Sequence, residues 1–216
     1  MQVKKIISCV CNVSIFVLMI FGMYVLLKGI KFVDDPLILP QGPLEILKYY
    51  TIQSNILMGL ISCVYFIFSI CNKKIPLYLS VIKLMGTVGV SLTLFTVVFY
   101  LAPISSFGYF SLFTNSNFFF HFFIPVLSII TFCFFENDNK LSFKQTIIGM
   151  STMFAYALFY TINVITHIEN GAVSPQYDWY FFVHNGLWTI IISMPAMFLL
   201  TFLISFGLTK LNNKMH

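Results

Sequence analysis

Six long apolar stretches, separated by short polar segments, run along the chain from one end to the other. A helix of roughly 20 apolar residues crosses the hydrocarbon core of a bilayer. The pattern predicts six such spans, at residues 6–27, 49–70, 77–101, 117–135, 145–166 and 186–208. Because the connections are short, consecutive spans are predicted to be antiparallel neighbours. The chain is therefore predicted to be an all-α membrane bundle, with residues 1–216 forming a single domain.

The first apolar run follows Lys4 and Lys5, a charged start that secretory signals share. The run is longer than the apolar core of a signal, and no small-residue cleavage site follows it. It is therefore predicted to remain as a spanning helix.

Composition agrees with a membrane protein, since 59% of the residues are hydrophobic, 9% are charged and the mean hydropathy is +0.91. All 12 basic residues are lysine, and they are scattered through short loops instead of forming a basic face, which argues against a nucleic-acid-binding protein. The lysine-only, phenylalanine-rich usage is typical of an AT-rich genome and favours a bacterial plasma membrane.

Lysines also predict how the bundle is oriented. Most of them lie at the end that carries both chain termini, and cytoplasmic loops retain positive charge, so both termini are predicted to face the cytoplasm. Lys83, a little inside the third span, is predicted to snorkel back to that interface. None of the five cysteines lies at the opposite end, so no disulfide is predicted. A Cys9–Cys11 metal pair is disfavoured because helical spacing splays the two thiols.

Polar side chains concentrate at the predicted outer end, while the inner halves of the spans contain few. Residues four apart share a helix face, so Thr51 pairs with Asn55, and Asn117 pairs with His121. The fifth span has a longer polar stripe on one face: Tyr156, Tyr160, Asn163 and His167. These faces predict one polar cavity beneath the outer surface. Packing alone accounts for many membrane Thr residues, but a histidine inside a span more often has a function.

Thr51 and His121 are the candidate catalytic residues. A threonine hydroxyl becomes a nucleophile when a base such as histidine removes its proton, so this pair can attack an ester from the membrane. Residues predicted to stabilise the oxyanion or orient substrate are Asn55, Asn117, Ser54 and Asn163. The spans offer no carboxylate to orient His121, which predicts a dyad. His167 and His184 are secondary candidates, and Glu169 or Asp178 from the loops is a possible third member.

Two segments are similar to a known family. The run LKYYTIQSN at residues 47–55 and HFFIP at residues 121–125 resemble the androgen-induced and androgen-dependent membrane proteins. Bacterial predicted six-transmembrane proteins, with T-x-Q/W-S-N and H-x-x-x-P in the same helices, look closer. The resemblance covers the second to fifth spans and the six-span order. The end of the fifth span, with Gly171, Pro175 and Tyr177, is similar to that family's outer loop.

The resemblance implies a chemistry. Animal members of the family are threonine hydrolases of fatty acid esters of hydroxy fatty acids, and their catalytic Thr and His correspond by position to Thr51 and His121. The predicted partner is thus a lipid or acyl ester, with no metal and no cofactor. Animal members space the His and the following Pro one residue further apart and have few counterparts to residues 53–55. The identity of the ester therefore stays open.

Three alternatives remain at this stage. A zinc hydrolase would use His121, His167 and His184 with Glu169 or Asp178 nearby. A bis-histidine haem would use His121 and His184. A lipid-binding protein or a small-solute transporter would need only the outer cavity, and the polar-poor inner halves disfavour the transporter because they give no path across the membrane.

Overall fold

The computed structural model describes residues 2–33, 45–169, 172–180, 182, 183, 186 and 188–216. Its helices are α1 (Gln2–Lys28), α2 (Tyr50–Ile70), α3 (Leu77–Thr96), α4 (Asn115–Phe118), α5 (Ile124–Phe134), α6 (Phe143–Ile148), α7 (Ser151–Thr166) and α8 (Thr189–Lys214). Short 3-10 helices occupy Glu45–Lys48 and Tyr109–Phe113, and π-helical turns occupy Val97–Leu101 and Phe119–Phe123. Strands β1 (Ile168–Glu169) and β2 (Ala172–Val173) form an antiparallel hairpin.

Within the described residues, six helical segments are long and apolar enough to cross a membrane, which confirms the predicted fold of a multi-pass membrane protein. We call them spans 1 to 6: Val3–Lys28, Tyr50–Ile70, Leu77–Leu101, Asn115–Phe134, Phe143–Thr166 and Thr189–Lys214. Span 6 runs beyond its predicted end at residue 208. The helix continues there because Asn212, although polar, is 1% exposed and packs into the bundle.

Span 3 lies at the centre of the bundle and contacts spans 2, 4, 5 and 6. Gly89 lets span 2 approach closely, because a Cβ at Gly89 would lie 3.0 Å from the Ser54 Cβ and 3.2 Å from the Tyr50 hydroxyl. Small residues are what allow such close helix contacts in membranes. This contact fixes the first turns of span 2, which contain Thr51.

Both π-helical turns lie at the end of the bundle opposite the two termini, which we call the far end; the other is the terminal end. A π turn is hydrogen-bonded from residue i to i+5, so it changes the spacing that brings residues onto one face. His121 lies in such a turn. A π turn has more residues per turn than an α-helix, so residues four apart still lie near one face, and the shared face of Asn117 and His121 stays a prediction.

The terminal end contains a buried polar cluster that the sequence pattern did not predict. Lys83 is 0% exposed, and its ammonium donates to Asn12 Oδ1 and to Ser62 Oγ at 2.9 Å, and pairs with Glu136 Oε1 at 3.4 Å. The prediction that Lys83 snorkels to the interface is wrong, since oxygens from spans 1 and 2 and from the end of span 4 bind its ammonium inside the bundle. For the same reason, polar groups are not confined to the far end.

Candidate active site

A cavity of about 350 Å³ lies at the far end, between spans 2, 3, 5 and 6 and the loop before span 6. Its wall is mostly apolar and includes Leu92, Phe95, Val97, Met153, Met197 and Leu200. Thr51 and the loop residues Tyr180 and Phe182 also line it. Such a volume and lining suit the apolar chain of a small ligand. The predicted nucleophile thus lies on the wall of an apolar cavity.

Thr51 is half-buried and is the second residue of α2. Its carbonyl accepts hydrogen bonds from Ser54 Oγ at 3.1 Å and from Asn55 Nδ2 at 2.8 Å, whereas its hydroxyl bonds to no residue that the structure describes. The Tyr50 N–H donates to the Tyr180 hydroxyl at 2.9 Å, which holds the loop on the start of the helix. Burial raises the pKa of Tyr180 to about 12, so this residue stays a neutral phenol.

His121 is buried, and its tautomer is set by the main chain. Its Nδ1 lies 2.7 Å from the carbonyl oxygen of Leu112, in the 3-10 helix that precedes span 4. A carbonyl only accepts, so Nδ1 carries the proton and Nε2 has the lone pair that a general base needs. The Leu112 carbonyl therefore occupies the orienting position for which Glu169 or Asp178 was the sequence candidate.

One amide ties the two catalytic candidates together. Asn55 Nδ2 donates to the Thr51 carbonyl and, at 3.2 Å, to the carbonyl of Phe120, the residue before His121. The turns that contain Thr51 and His121 are therefore adjacent. No hydrogen bond joins the two side chains in the described part of the chain, and the cavity lining includes Thr51 without His121.

Asn55 and Asn117 were predicted to donate to an oxyanion. Both N–H contacts of Asn55 go to main-chain carbonyls, and its buried Oδ1 has no partner among the described residues. Asn55 thus holds the two spans together in this arrangement. Asn117 is half-buried and does not line the cavity.

Asn163 and His167 anchor a loop. Asn163 Nδ2 donates to the Tyr177 carbonyl at 2.8 Å, while His167 Nδ1 donates to the Asn163 carbonyl at 2.8 Å. The His167 ring stacks on Tyr177 with 3.6 Å between ring centroids. Glu169 is exposed in β1. His184 lies outside the described residues.

Asp178 organises the loop that lines the cavity. It is 3% exposed; Oδ1 accepts from the Tyr160 hydroxyl and from the Phe182 N–H at 2.9 Å, and Oδ2 accepts from the Val183 N–H at 3.1 Å. The polar stripe of span 5 therefore packs against this loop. Its members do share a face, but most of them bind the loop instead of opening into the cavity.

Replacing Asp178 by asparagine is expected to destabilise the protein by about 1.5–3 kcal/mol, the usual contribution of hydrogen bonds to a charged group. The asparagine oxygen could replace one carboxylate oxygen as an acceptor. Its NH₂ group, in the place of the other oxygen, would face a donor and could not accept its hydrogen bond. Thermal unfolding in detergent measures the effect. Glu169→Gln, at an exposed carboxylate, is the control and should change nothing; an equal effect of both variants would contradict the assigned role of Asp178.

The metal alternatives depend on a residue outside the described part of the chain. Within the described residues, no group of three His, Cys, Asp or Glu side chains is arranged to hold a metal ion. His121 and His167 each place Nδ1 against a main-chain carbonyl, which leaves Nε2 of each ring for another partner. Both the zinc site and the haem site require His184.

Two hydroxyl groups that line the cavity were not among the candidates predicted from the sequence. Thr96 and Ser193 line the cavity, and their buried hydroxyl oxygens have no hydrogen-bond partner among the described residues. Neighbouring membrane hydroxyls behave differently: Thr93 donates to the Gly89 carbonyl at 3.3 Å, and Thr201 to the Met197 carbonyl at 2.6 Å. Both of these are the ordinary side-chain bond to the carbonyl of residue i−4. Linear spacing does not separate the two kinds, because both are isolated polar residues in apolar spans.

Comparison of the chain with protein-family models, with curated proteins and with solved structures finds no match. The similarity of residues 47–55 and 121–125 to a hydrolase family therefore stays a prediction.

Proposed function

We propose that this protein is an intramembrane lipid ester hydrolase in which Thr51 is the nucleophile and His121 the general base. The observation that carries the proposal is the position of Thr51: its hydroxyl bonds to no described residue, on the wall of an apolar cavity. Asn55 ties its turn to the turn of His121. The family resemblance supports the same pair and implies fatty acid esters of hydroxy fatty acids as the substrate class. With the termini in the cytoplasm of a bacterial plasma membrane, the cavity would face the outer leaflet.

The proposed reaction has two halves. Thr51 Oγ1 attacks the ester carbonyl carbon while His121 Nε2 takes its proton; the tetrahedral intermediate then breaks its C–O bond, and the leaving alcohol receives that proton. Water, deprotonated by His121, next attacks the acyl-threonine and releases the fatty acid and the Thr51 hydroxyl. Catalytic hydrogen bonds often form only when substrate is bound, so contact between Thr51 and His121 belongs to the substrate complex.

Thr96 and Ser193 are the residues best placed to donate hydrogen bonds to the developing oxyanion. Thr96→Val and Ser193→Ala are each expected to lower kcat about 10²-fold with little change in KM, because one oxyanion donor contributes that much. Thr201→Val is the matched control, since its hydroxyl bonds to the Met197 carbonyl. Steady-state kinetics measures all three. Equal kcat in the wild type and both variants would show that Thr96 and Ser193 take no part in the reaction.

The hydrolase proposal is tested with the purified protein in nanodiscs. It is expected to cleave a long-chain fluorogenic acyl ester faster than the matching acetyl ester, because the cavity wall is apolar. Activity is expected to survive a strong chelator. Loss of activity on chelation would favour the zinc hydrolase instead. Absence of hydrolysis with either ester would reject both.

One observation favours a second candidate, a small-solute transporter. The Lys83–Glu136 pair places charged groups in the terminal half of the bundle, where the sequence pattern showed few polar residues. Intramembrane charges commonly mark a substrate or ion path. In a transporter, substitution of Lys83 would stop uptake of solute into vesicles, and Thr51→Ala would leave that uptake unchanged. In a hydrolase, ester cleavage would instead depend on Thr51.

A further inference from the structure

Buried oxygen atoms without donors collect where span 4 ends at the terminal end. Glu136 Oε2, Asn137 Oδ1 and Asn212 Oδ1 accept no hydrogen bond from any described residue. The Glu136 side chain is 1% exposed, and Asn212 is 1% exposed. Buried polar atoms normally have partners, and leaving one unpaired is costly. All three atoms are acceptors, so the missing partner is a donor or a cation.

The two amides cannot turn over to relieve this. Asn212 Nδ2 donates to the carbonyls of Phe132 at 2.6 Å and Glu136 at 2.8 Å. Asn137 Nδ2 donates to the carbonyls of Cys133 at 3.1 Å and Asn212 at 3.0 Å. A flipped amide would place its oxygen against those carbonyl oxygens. The same bonds link Glu136, Asn137 and Asn212 into one cluster.

Lys83 cannot supply the missing donor either. Its ammonium is already engaged by Asn12 Oδ1, Ser62 Oγ and Glu136 Oε1. Glu136 Oε1 also accepts from Asn12 Nδ2 and from Ser8 Oγ at 3.3 Å. The ion pair thus satisfies Lys83 and one carboxylate oxygen, and leaves Oε2 outside it.

The surroundings favour a positive ion. The C-terminal end of a helix carries partial negative charge, and Glu136 lies two residues after the end of span 4. One carboxylate and two amide oxygens are hard ligands, which prefer alkali and alkaline-earth ions to transition metals. Lys83 already balances the single negative charge of the carboxylate, so a bound cation makes the cluster net positive, and a monovalent ion adds the least charge. Thr209, one turn before Asn212, adds a buried hydroxyl without a described partner.

We propose that Glu136, Asn137, Asn212 and Thr209 bind one Na⁺ ion at the terminal end. Helix C-terminal ends serve this purpose in other membrane proteins. The site is separate from the far-end cavity, so it neither needs nor supports the hydrolase. Na⁺ would link the end of span 4 to span 6 and stabilise the fold.

Thermal unfolding of the full chain in detergent tests the site, with NaCl, KCl and N-methylglucamine chloride compared at constant ionic strength. Saturating Na⁺ is expected to raise Tm by roughly 5 °C over N-methylglucamine, as a ligand at about a hundredfold excess over its Kd does. Equal Tm in all three salts would overturn the proposal and assign Oε2 to water or a proton. A larger rise with K⁺ would also overturn the choice of ion.

Variants locate the effect. Glu136→Gln is expected to abolish the Na⁺ dependence, but it also unpairs Lys83 and so risks misfolding. Thr209→Val is the safer test, because that hydroxyl makes no described bond: Tm in N-methylglucamine should be unchanged, and the Na⁺ concentration for half the effect should rise about tenfold. Thr201→Val on the same span is the control. An unchanged Na⁺ response in Thr209→Val and Glu136→Gln would place the ion elsewhere.

Discussion

Replacing Thr51 by alanine is expected to lower hydrolysis of a long-chain ester by roughly 10³-fold or more, because the variant has no atom to form the acyl intermediate. Thr51→Ser keeps the hydroxyl and should retain part of the activity. His121→Ala should match Thr51→Ala, and the double variant should be no worse than either, since a nucleophile and its base act as a unit.

The matched control for Thr51 is Thr93→Val. Thr93 lines the same cavity, but its hydroxyl already donates to the Gly89 carbonyl. Its loss should leave kcat nearly unchanged. Comparable losses in Thr51→Ala and Thr93→Val would mean that the cavity tolerates no substitution, and Thr51 would lose its special role.

Lys83→Met is expected to destabilise the protein by about 3–5 kcal/mol, because it removes the ammonium that pairs with the buried Glu136 carboxylate. The side chains of both residues are almost fully buried, with exposed fractions of 0% and 1%. The double variant Lys83→Met/Glu136→Gln removes both charges at similar volume and should recover most of the loss. Thermal unfolding in detergent measures both.

Lys74→Met is the control for that experiment, since Lys74 is exposed at the same end of the bundle and should tolerate the change. A double variant as unstable as Lys83→Met would show that the hydrogen bonds of the pair, and not its charge balance, stabilise the cluster. A stable Lys83→Met variant would contradict the burial of the ammonium.

Span number was predictable because apolar length alone decides which segments cross a bilayer. The ends of the spans were less predictable, because polar residues at the end of a helix resemble loop residues in sequence. Asn212 shows the reason: its amide reaches the carbonyls at the end of span 4, a partner 76 or more residues away in sequence. Such long-range contacts are absent from any local pattern.

The candidate site divides in the same way. The positions of Thr51 and His121 near the far ends of their spans were predictable from the apolar pattern, and their catalytic role stays a prediction. The Leu112 carbonyl that orients His121 was not, since every residue has a carbonyl. Lys83 was assigned to the interface because nothing local shows that Asn12 and Ser62, on two other spans, face it.

The central claim, that Thr51 is an activated nucleophile, is tested most directly by reaction with a fluorophosphonate carrying a long alkyl chain, followed by mass-spectrometric peptide mapping. We predict an adduct on Thr51 in the wild type and in Thr93→Val, strongly reduced in His121→Ala and absent in Thr51→Ala. An unlabelled wild-type protein, or an adduct that persists in Thr51→Ala, would contradict the account.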